Sequence, residues 1–145
     1  ILNKASITLF ASACYTLLDY DSNKITVTSA GHDFPLIEFK TDAPSNKNPK
    51  NEKGSALGIC EGAHYPETTY MLNEVKSMLL FTDGIYEASN HDDVEWGIGN
   101  LQKAFTHAQD KHSSSTPHHI YEEATKWMNH TQFPDDICLL NFEII

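Results

Sequence analysis

The chain of 145 residues has no long apolar run, little positive charge and few cysteines. No apolar run approaches the ~18 residues of a membrane-spanning helix, and no signal peptide is visible, so we expect no membrane segment. Lysine and arginine together number 10 against 20 acidic residues, which sets the formal net charge at −10. This balance disfavours nucleic-acid backbones and anionic membranes as partners, because both repel an acidic surface.

The cysteines exclude a disulfide framework or a CxxC metal site. Cys14, Cys60 and Cys138 are odd in number, lie far apart and form no CxxC pair. Cys14 and Cys138 lie inside apolar runs, so we interpret both as buried, reduced thiols. Reduced thiols favour a cytoplasmic location. The chain starts with Ile1 rather than Met, close to a predicted strand, so we expect a fragment of a longer protein.

Apolar patterns predict one α+β domain over residues 1–145, with an antiparallel sheet and one layer of helices. The predicted strands cover residues 7–20, 25–29, 34–40, 65–72, 78–81 and 137–145. The first is expected to be partly buried on both faces and to form a hairpin with the second. Residues 41–54 are polar and contain two prolines, which predicts a mobile loop.

Two helices are predicted between the fifth and the last strand. The first has apolar residues three and four positions apart, at Ile98, Leu101, Phe105 and Ala108. A polar loop is predicted from Asp110 to Thr116. In the second helix Thr116 is the predicted cap and Pro117 lies in the first turn. Its predicted buried stripe is Ile120, Ala124 and Trp127.

Two acidic residues lie at the ends of predicted buried strands. Asp83 follows the strand at 78–81, and Asp135 precedes the strand at 137–145. If these strands are antiparallel neighbours, both carboxylates meet at one edge of the sheet. Close carboxylates repel unless a cation separates them, and their hard oxygens suit Mg²⁺ or Mn²⁺. The alternative is that both are solvated turn residues, with Gly84 allowing a sharp turn.

Several segments together resemble the bacterial SpoIIE-like branch of the metal-dependent protein phosphatases, the PPM or type 2C family. Thr28-Ser-Ala-Gly-His-Asp-Phe-Pro-Leu-Ile37 is similar to the family's NAGH-x-P-P-L strand pair. Leu79-Leu-Phe-Thr-Asp-Gly-Ile-Tyr-Glu-Ala88 is similar to LLLYTDGVTEA, and Asp135-Asp-Ile-Cys-Leu-Leu140 to DDITLL. Gly54 and Leu57-Gly58 fall at the family's G…LG step. Each motif alone is weak, but their order and spacing agree over nearly the whole chain.

The resemblance implies an antiparallel β-sandwich with flanking helices and a centre of two Mn²⁺ or Mg²⁺ ions. In the family a metal-bound water attacks the phosphorus of phosphoserine or phosphothreonine. By motif match, Asp83 and Asp135 are metal ligands; Asp136 and Gly84 lie beside them, and His32 is a candidate at the site edge. Such bacterial domains act in stress and sporulation signalling on phosphorylated anti-sigma-factor antagonists, including STAS-type proteins.

The resemblance covers the carboxy-terminal two-thirds of the family domain. The family's amino-terminal GGDFYD and GDVSGHG strands, which carry the Asp that bridges both metals, have no counterpart in residues 1–145. We therefore expect weak metal binding and little phosphatase activity from this chain alone. The missing strands are expected to expose sheet edges, which favours a homodimer. The alternatives are a non-catalytic regulatory or binding domain with the same fold, and a small β-rich module that matches by chance.

Overall fold

The computed structural model describes residues 9–40, 52–110, 115–130 and 132–145. In these ranges the chain forms six strands and two α-helices: β1 Ala13–Asp19, β2 Lys24–Ala30, β3 Leu36–Phe39, β4 Glu67–Met71, β5 Val75–Phe81, α1 Ile98–Asp110, α2 Thr116–Met128 and β6 Leu139–Glu143. They group into two compact units. The first holds β1, β2 and β4, and the second holds both helices, β6 and most of β5. A single domain over residues 1–145 stays a prediction.

The first unit contains a three-stranded sheet in the order β1-β2-β4. β1 and β2 pair antiparallel from Ala13 opposite Ala30 to Asp19 opposite Lys24, which confirms the predicted hairpin. The Oδ1 of Asp19 accepts the backbone N–H of Asp21 at 3.0 Å and that of Ser22 at 3.1 Å. These bonds close the hairpin turn. The Ser22 side chain, as the largest cause, and then the backbone N–H groups lower the pKa of the Asp19 carboxyl.

β1 differs from its prediction in length and in burial. It begins at Ala13, and the predicted start at residue 7 lies outside the described residues. One face of β1 is open, because Tyr15 is 62% exposed and Leu17 is 48% exposed. The expectation of partial burial on both faces is therefore wrong. In the described part of the chain, β1 is also the outer strand of its sheet. An apolar edge of this kind agrees with strand pairing to another chain, and the homodimer stays a prediction.

The prediction of buried thiols holds in part for Cys14 and fails for Cys138. Cys14 on β1 is partly buried, and burial raises the pKa of its thiol, which favours the protonated form. Cys138 is exposed, so the expectation that it is buried is wrong. All three cysteines are free. No helix in the described ranges combines the length and the hydropathy needed to span a bilayer.

The second unit is built around β5. A three-stranded sheet has the order β3-β5-β6, and β5 pairs antiparallel with β6 from Ser77 opposite Glu143 to Phe81 opposite Leu139. Leu79 and Phe81 pack in one buried cluster with Ile85, Leu101 and Phe105. Burying side chains of this size contributes about 1.5–3 kcal/mol each. The buried cluster thus fixes the end of β5 at Phe81, and Asp83 lies two positions further along the chain.

The helices form as predicted, with shifts in their ends and buried faces. α1 extends through Asp110, where a loop was expected, and the predicted face residue Ile98 is 47% exposed. In α2 the buried residues recur at every fourth position: Thr116, Ile120, Ala124 and Met128. Trp127 is 40% exposed, so its place in the predicted stripe is wrong. Met128, four positions after Ala124, is buried in place of Trp127.

The amino-terminal cap of α2 is Ser115, one residue before the predicted Thr116. The Ser115 hydroxyl accepts the backbone N–H of His118 at 3.3 Å, and Thr116 is instead buried in the first turn. Ser115→Ala should lower the free energy of unfolding by about 1 kcal/mol because the first turn loses this acceptor. Urea unfolding followed by circular dichroism measures the change. Ser115→Asp, which keeps an acceptor, should stay near wild type; equal stability of both variants would contradict this role.

Candidate functional site

The antiparallel pairing of β5 and β6 places the Asp83 turn beside the Asp135 segment. Phe81 lies opposite Leu139, and the backbone N–H of Thr82 donates to the carbonyl of Cys138 at 3.1 Å. The condition set by the sequence, that these two strands are antiparallel neighbours, is therefore confirmed. The end of one strand and the approach to the other meet at the same edge of the sheet.

The Thr82 side chain bridges the two segments, and the sequence interpretation missed it. Its Oγ1 donates to the carbonyl oxygen of Asp136 at 3.0 Å and accepts the N–H of Cys138 at 2.8 Å. Together with the backbone bond, three hydrogen bonds hold the turn to the strand approach. The signal in the sequence was a hydroxyl residue between a buried strand and an acid, which is also common in ordinary turns.

Gly84 is required for the close approach of these segments. A Cβ at this position would lie 2.7 Å from the carbonyl oxygen of Asp136 and 3.2 Å from the carbonyl carbon and oxygen of Asp135. Gly84 is not among the residues with positive φ, so the expectation that it serves an unusual backbone angle is wrong. Its role is to leave space for the Asp135-Asp136 backbone.

Asp83 begins a short 3₁₀ turn, Asp83–Ile85, directly after β5. Its backbone carbonyl accepts the N–H groups of Tyr86 and Glu87, each at 3.0 Å. Its side chain is exposed. The carbonyl therefore closes the turn, and the exposed carboxylate is accessible to a cation.

Asp135 and Asp136 are also exposed. The Oδ1 of Asp135 accepts the backbone N–H of Asp136 at 2.7 Å, which orients that carboxylate. None of the ion pairs between described residues involves Asp83, Asp135 or Asp136. These accessible carboxylates are hard oxygen donors without a cationic partner in that part of the chain, and such donors fit Mg²⁺ or Mn²⁺.

Asp83, Asp135 and Asp136 do not form a complete metal site by themselves. Among the described residues, no group of three or more His, Cys, Asp or Glu side chains could hold a metal ion. A pair of carboxylates can bind Mg²⁺ when waters or phosphate oxygens fill the other positions, but it does so weakly. The assignment of Asp83 and Asp135 as ligands stays a prediction, as does a supporting role for the Asp136 side chain.

His32 lies in the first unit. Its Ala-Gly-His segment and the Gly54 step are a second pair of family motifs that are neighbours in the fold. The Nδ1 of His32 is 3.1 Å from the carbonyl oxygen of Asp33. The adjacent Gly31 donates its N–H to the carbonyl of Gly54 at 2.8 Å, and a Cβ on Gly31 would lie 2.9 Å from that of Ala56. The Ala-Gly-His segment and the Gly54 step are thus neighbours, while a role for His32 at the site edge stays a prediction.

Thr82→Val should lower the free energy of unfolding by about 1–2 kcal/mol, because the isosteric side chain leaves the Cys138 N–H and the Asp136 carbonyl without this partner. Chemical denaturation monitored by tryptophan fluorescence measures the loss. Thr82→Ser keeps the hydroxyl and is the matched control, expected to retain most of the stability. Equal destabilisation by serine and valine would assign the effect to the methyl group and contradict the bridging role.

A search of curated proteins finds no match to this chain. A solved structure of the phosphatase domain of the cell fate determinant SpoIIE from Bacillus subtilis, Mn presoaked, has a similar fold, with a TM-score of 0.54 at 13% identity. The match covers 92% of this chain and 56% of that chain, so the chain spans little more than half of the solved domain. The predicted fold class, that of a PPM phosphatase domain fragment, is thereby confirmed.

A family model independently covers the chain almost end to end. The model described as Stage II sporulation protein E (SpoIIE) matches residues 1–144. It thus takes in both compact units and every motif on which the resemblance was based, including the paired Asp83 and Asp135 segments. The chain belongs to the SpoIIE family of PPM-type phosphatase domains.

Proposed function

We propose that this chain forms the carboxy-terminal part of a metal-dependent phosphatase that hydrolyses phosphoserine or phosphothreonine in a protein. The observation that carries the proposal is the junction at which Thr82 and Gly84 hold the Asp83 turn against Asp135-Asp136. The junction brings the backbone segments that carry these exposed carboxylates into close contact.

In this function Asp83 and Asp135 hold a Mn²⁺ or Mg²⁺ ion, and Asp136 supports them through its backbone. The bound cation supplies an activated water and offsets the negative charge of the phosphate. The protein's own contribution is to orient the donors: the Thr82 bridge sets the distance between the two segments, and the Asp136 N–H fixes one carboxylate. A cation also explains how a chain of net charge −10 accepts an anionic substrate.

The two carboxylates are proposed to be one side of a centre that further carboxylates complete. We therefore expect residues 1–145 alone to bind Mn²⁺ weakly and to turn over little substrate. We further propose a phosphorylated anti-sigma-factor antagonist of the STAS type as the substrate. We place the reaction in the reducing cytosol, because the three cysteines are free.

The test compares residues 1–145 with a fusion that places the family's amino-terminal GGDFYD and GDVSGHG strands before residue 1. Calorimetry measures Mn²⁺ affinity, and phosphate release from a phosphoserine peptide measures activity. The fusion should gain affinity and Mn²⁺-dependent turnover, whereas residues 1–145 should show little of either. A folded fusion that binds Mn²⁺ without turnover would refute the proposed function. Micromolar affinity in residues 1–145 alone would contradict the incomplete centre.

A second function is a regulatory or binding domain that keeps the phosphatase fold without its chemistry. The absence of a cluster of three metal-binding side chains in the described part of the chain favours it. It predicts that the fusion folds but gains neither Mn²⁺ affinity nor turnover. The same experiment therefore decides between the two functions.

A further inference from the structure

The second unit contains a cavity of about 630 Å³ next to the candidate metal site. Its described lining comes from two parts of the chain: Glu87, Ser89, Asn90 and Asp93 after the Asp83 turn, and His130, Gln132, Phe133 and Pro134 before Asp135. The volume falls in the range of ligand-binding clefts, roughly 300–1,000 Å³. A cavity of this size has room for a long side chain of a bound peptide.

The position of the cavity is set by the same junction that holds the aspartates. Pro134, in its lining, directly precedes Asp135, and Glu87 follows Asp83 by one turn and donates its N–H to the Asp83 carbonyl. A phosphorylated residue at the aspartates would thus place its neighbours over the cavity, since successive peptide residues are spaced by about 3.3–3.6 Å.

The lining combines carboxylates and an aromatic ring with neutral polar groups and one histidine. Glu87 and Asp93 contribute carboxylates, Phe133 contributes a partly buried ring, His130 contributes an imidazole, and no lysine or arginine lies among the described lining residues. Carboxylates beside an aromatic ring form an environment that attracts an ammonium or guanidinium group through charge and cation–π interaction. An acidic peptide would instead meet like charge.

Asp93 is held in place by a closed turn. The side-chain oxygen of Asn90 accepts the N–H of Asp92 at 3.0 Å and that of Val94 at 3.1 Å. The N–H of Asp93 donates to the Asn90 carbonyl at 3.1 Å, and Asp93 itself has a left-handed φ of 56°. The backbone that carries the Asp93 side chain is therefore ordered before any ligand binds, which reduces the entropy lost on binding.

We infer that this cavity is a specificity subsite for a lysine or arginine side chain adjacent to the phosphorylated residue of the substrate. The inference rests on the proposed function, because the phosphorylated residue is assigned to the neighbouring aspartates. Asp93 is the specificity-determining residue: its carboxylate pairs with the basic group, and Phe133 receives the aliphatic stem.

The test uses residues 1–145 and short fluorescein-labelled peptides at about pH 8, where an ordinary histidine is neutral. One phosphoserine peptide carries flanking lysines and its partner carries glutamines; both are also prepared unphosphorylated. In fluorescence anisotropy at low salt, the lysine peptide should bind about threefold to fivefold more tightly, the size of one partly exposed charge pair. Asp93→Asn should remove the preference while keeping the turn, because asparagine tolerates left-handed φ.

Asp92→Asn is the matched control, since Asp92 is a neighbouring acid of the same turn that does not line the cavity. It should keep the preference for lysine. Equal binding of the lysine and glutamine peptides, or equal loss in both variants, would overturn the inference and assign any effect to the overall negative charge. The unphosphorylated peptides separate the two proposals: a retained preference for lysine without turnover in the fusion contradicts the phosphatase function and supports the subsite.

Discussion

Asp83→Asn in the fused protein is expected to lower Mn²⁺ affinity by about tenfold to a hundredfold, and to remove most of the Mn²⁺-dependent turnover with it. Replacing a residue that only supports a metal ligand typically lowers metal affinity by this factor. Replacing the ligand itself should lower the affinity at least as much. Asparagine has nearly the shape of aspartate but carries no charge, and Mn²⁺ prefers anionic oxygen. Calorimetry and phosphate release measure the two losses.

The same substitution should leave stability within about 0.5 kcal/mol of wild type, as for exposed residues without a structural contact. The Asp83 carboxylate is exposed and makes no described ion pair, and the turn is closed by its backbone carbonyl. Asp135→Asn should behave alike, because asparagine keeps the Oδ1 acceptor for the Asp136 N–H. Asp92→Asn is again the control. Unchanged Mn²⁺ affinity in either site variant would show that its carboxylate is not a ligand.

Gly84→Ala is expected to destabilise the protein by about 1–3 kcal/mol, the usual cost of forcing extra atoms into a packed site. The new Cβ would lie 2.7 Å from the Asp136 carbonyl oxygen, and the atoms it meets are backbone atoms, which cannot rotate away. The two segments must separate, which would also stretch the Thr82 bridge and move Asp135 away from Asp83. In the fusion, Mn²⁺ affinity should fall together with stability.

Gly99→Ala provides the matched control for this prediction. Gly99 lies in α1, and a Cβ there would meet no atom within 4 Å. Alanine should be neutral or should stabilise the helix, by up to about 1 kcal/mol, because it loses less backbone freedom on folding. Urea unfolding of both variants tests the opposite signs. If Gly84→Ala proved as stable as Gly99→Ala, the backbone contact at the junction would not be as close as described.

The sequence predicted most elements because their hydrophobic period is strong. Alternation of apolar and polar residues located β2, and runs of apolar residues located β5 and β6. The errors occur where burial depends on neighbouring elements. Leu17 and Cys138 resemble core residues in their local context, yet both are exposed. Leu17 lies on the outer described strand of its sheet, and Cys138 lies just before β6. Local pattern carries no information on which strand lies at an edge.

The sequence predicted the aspartates of the candidate site but not the cavity next to them. Asp83 and Asp135 were identified from acids at the ends of apolar runs, and the family motifs supported the pair. The cavity beside them was not foreseen, because Asp93 and Phe133 are separated by forty residues and share no motif. Only the chain path between α2 and β6 brings them into one lining.

The sequence by itself determined the order of the elements, the acidic character of the chain, the motifs of the family and the pair of aspartates. Only the tertiary structure decided that the aspartates' segments are neighbours, that Thr82 bridges them and that Gly84 serves close approach rather than a turn angle. The physical reason is that composition and periodicity are local properties. The pairing of β5 with β6 joins residues more than fifty positions apart, and the distances that make carboxylates a binding site exist only after that pairing.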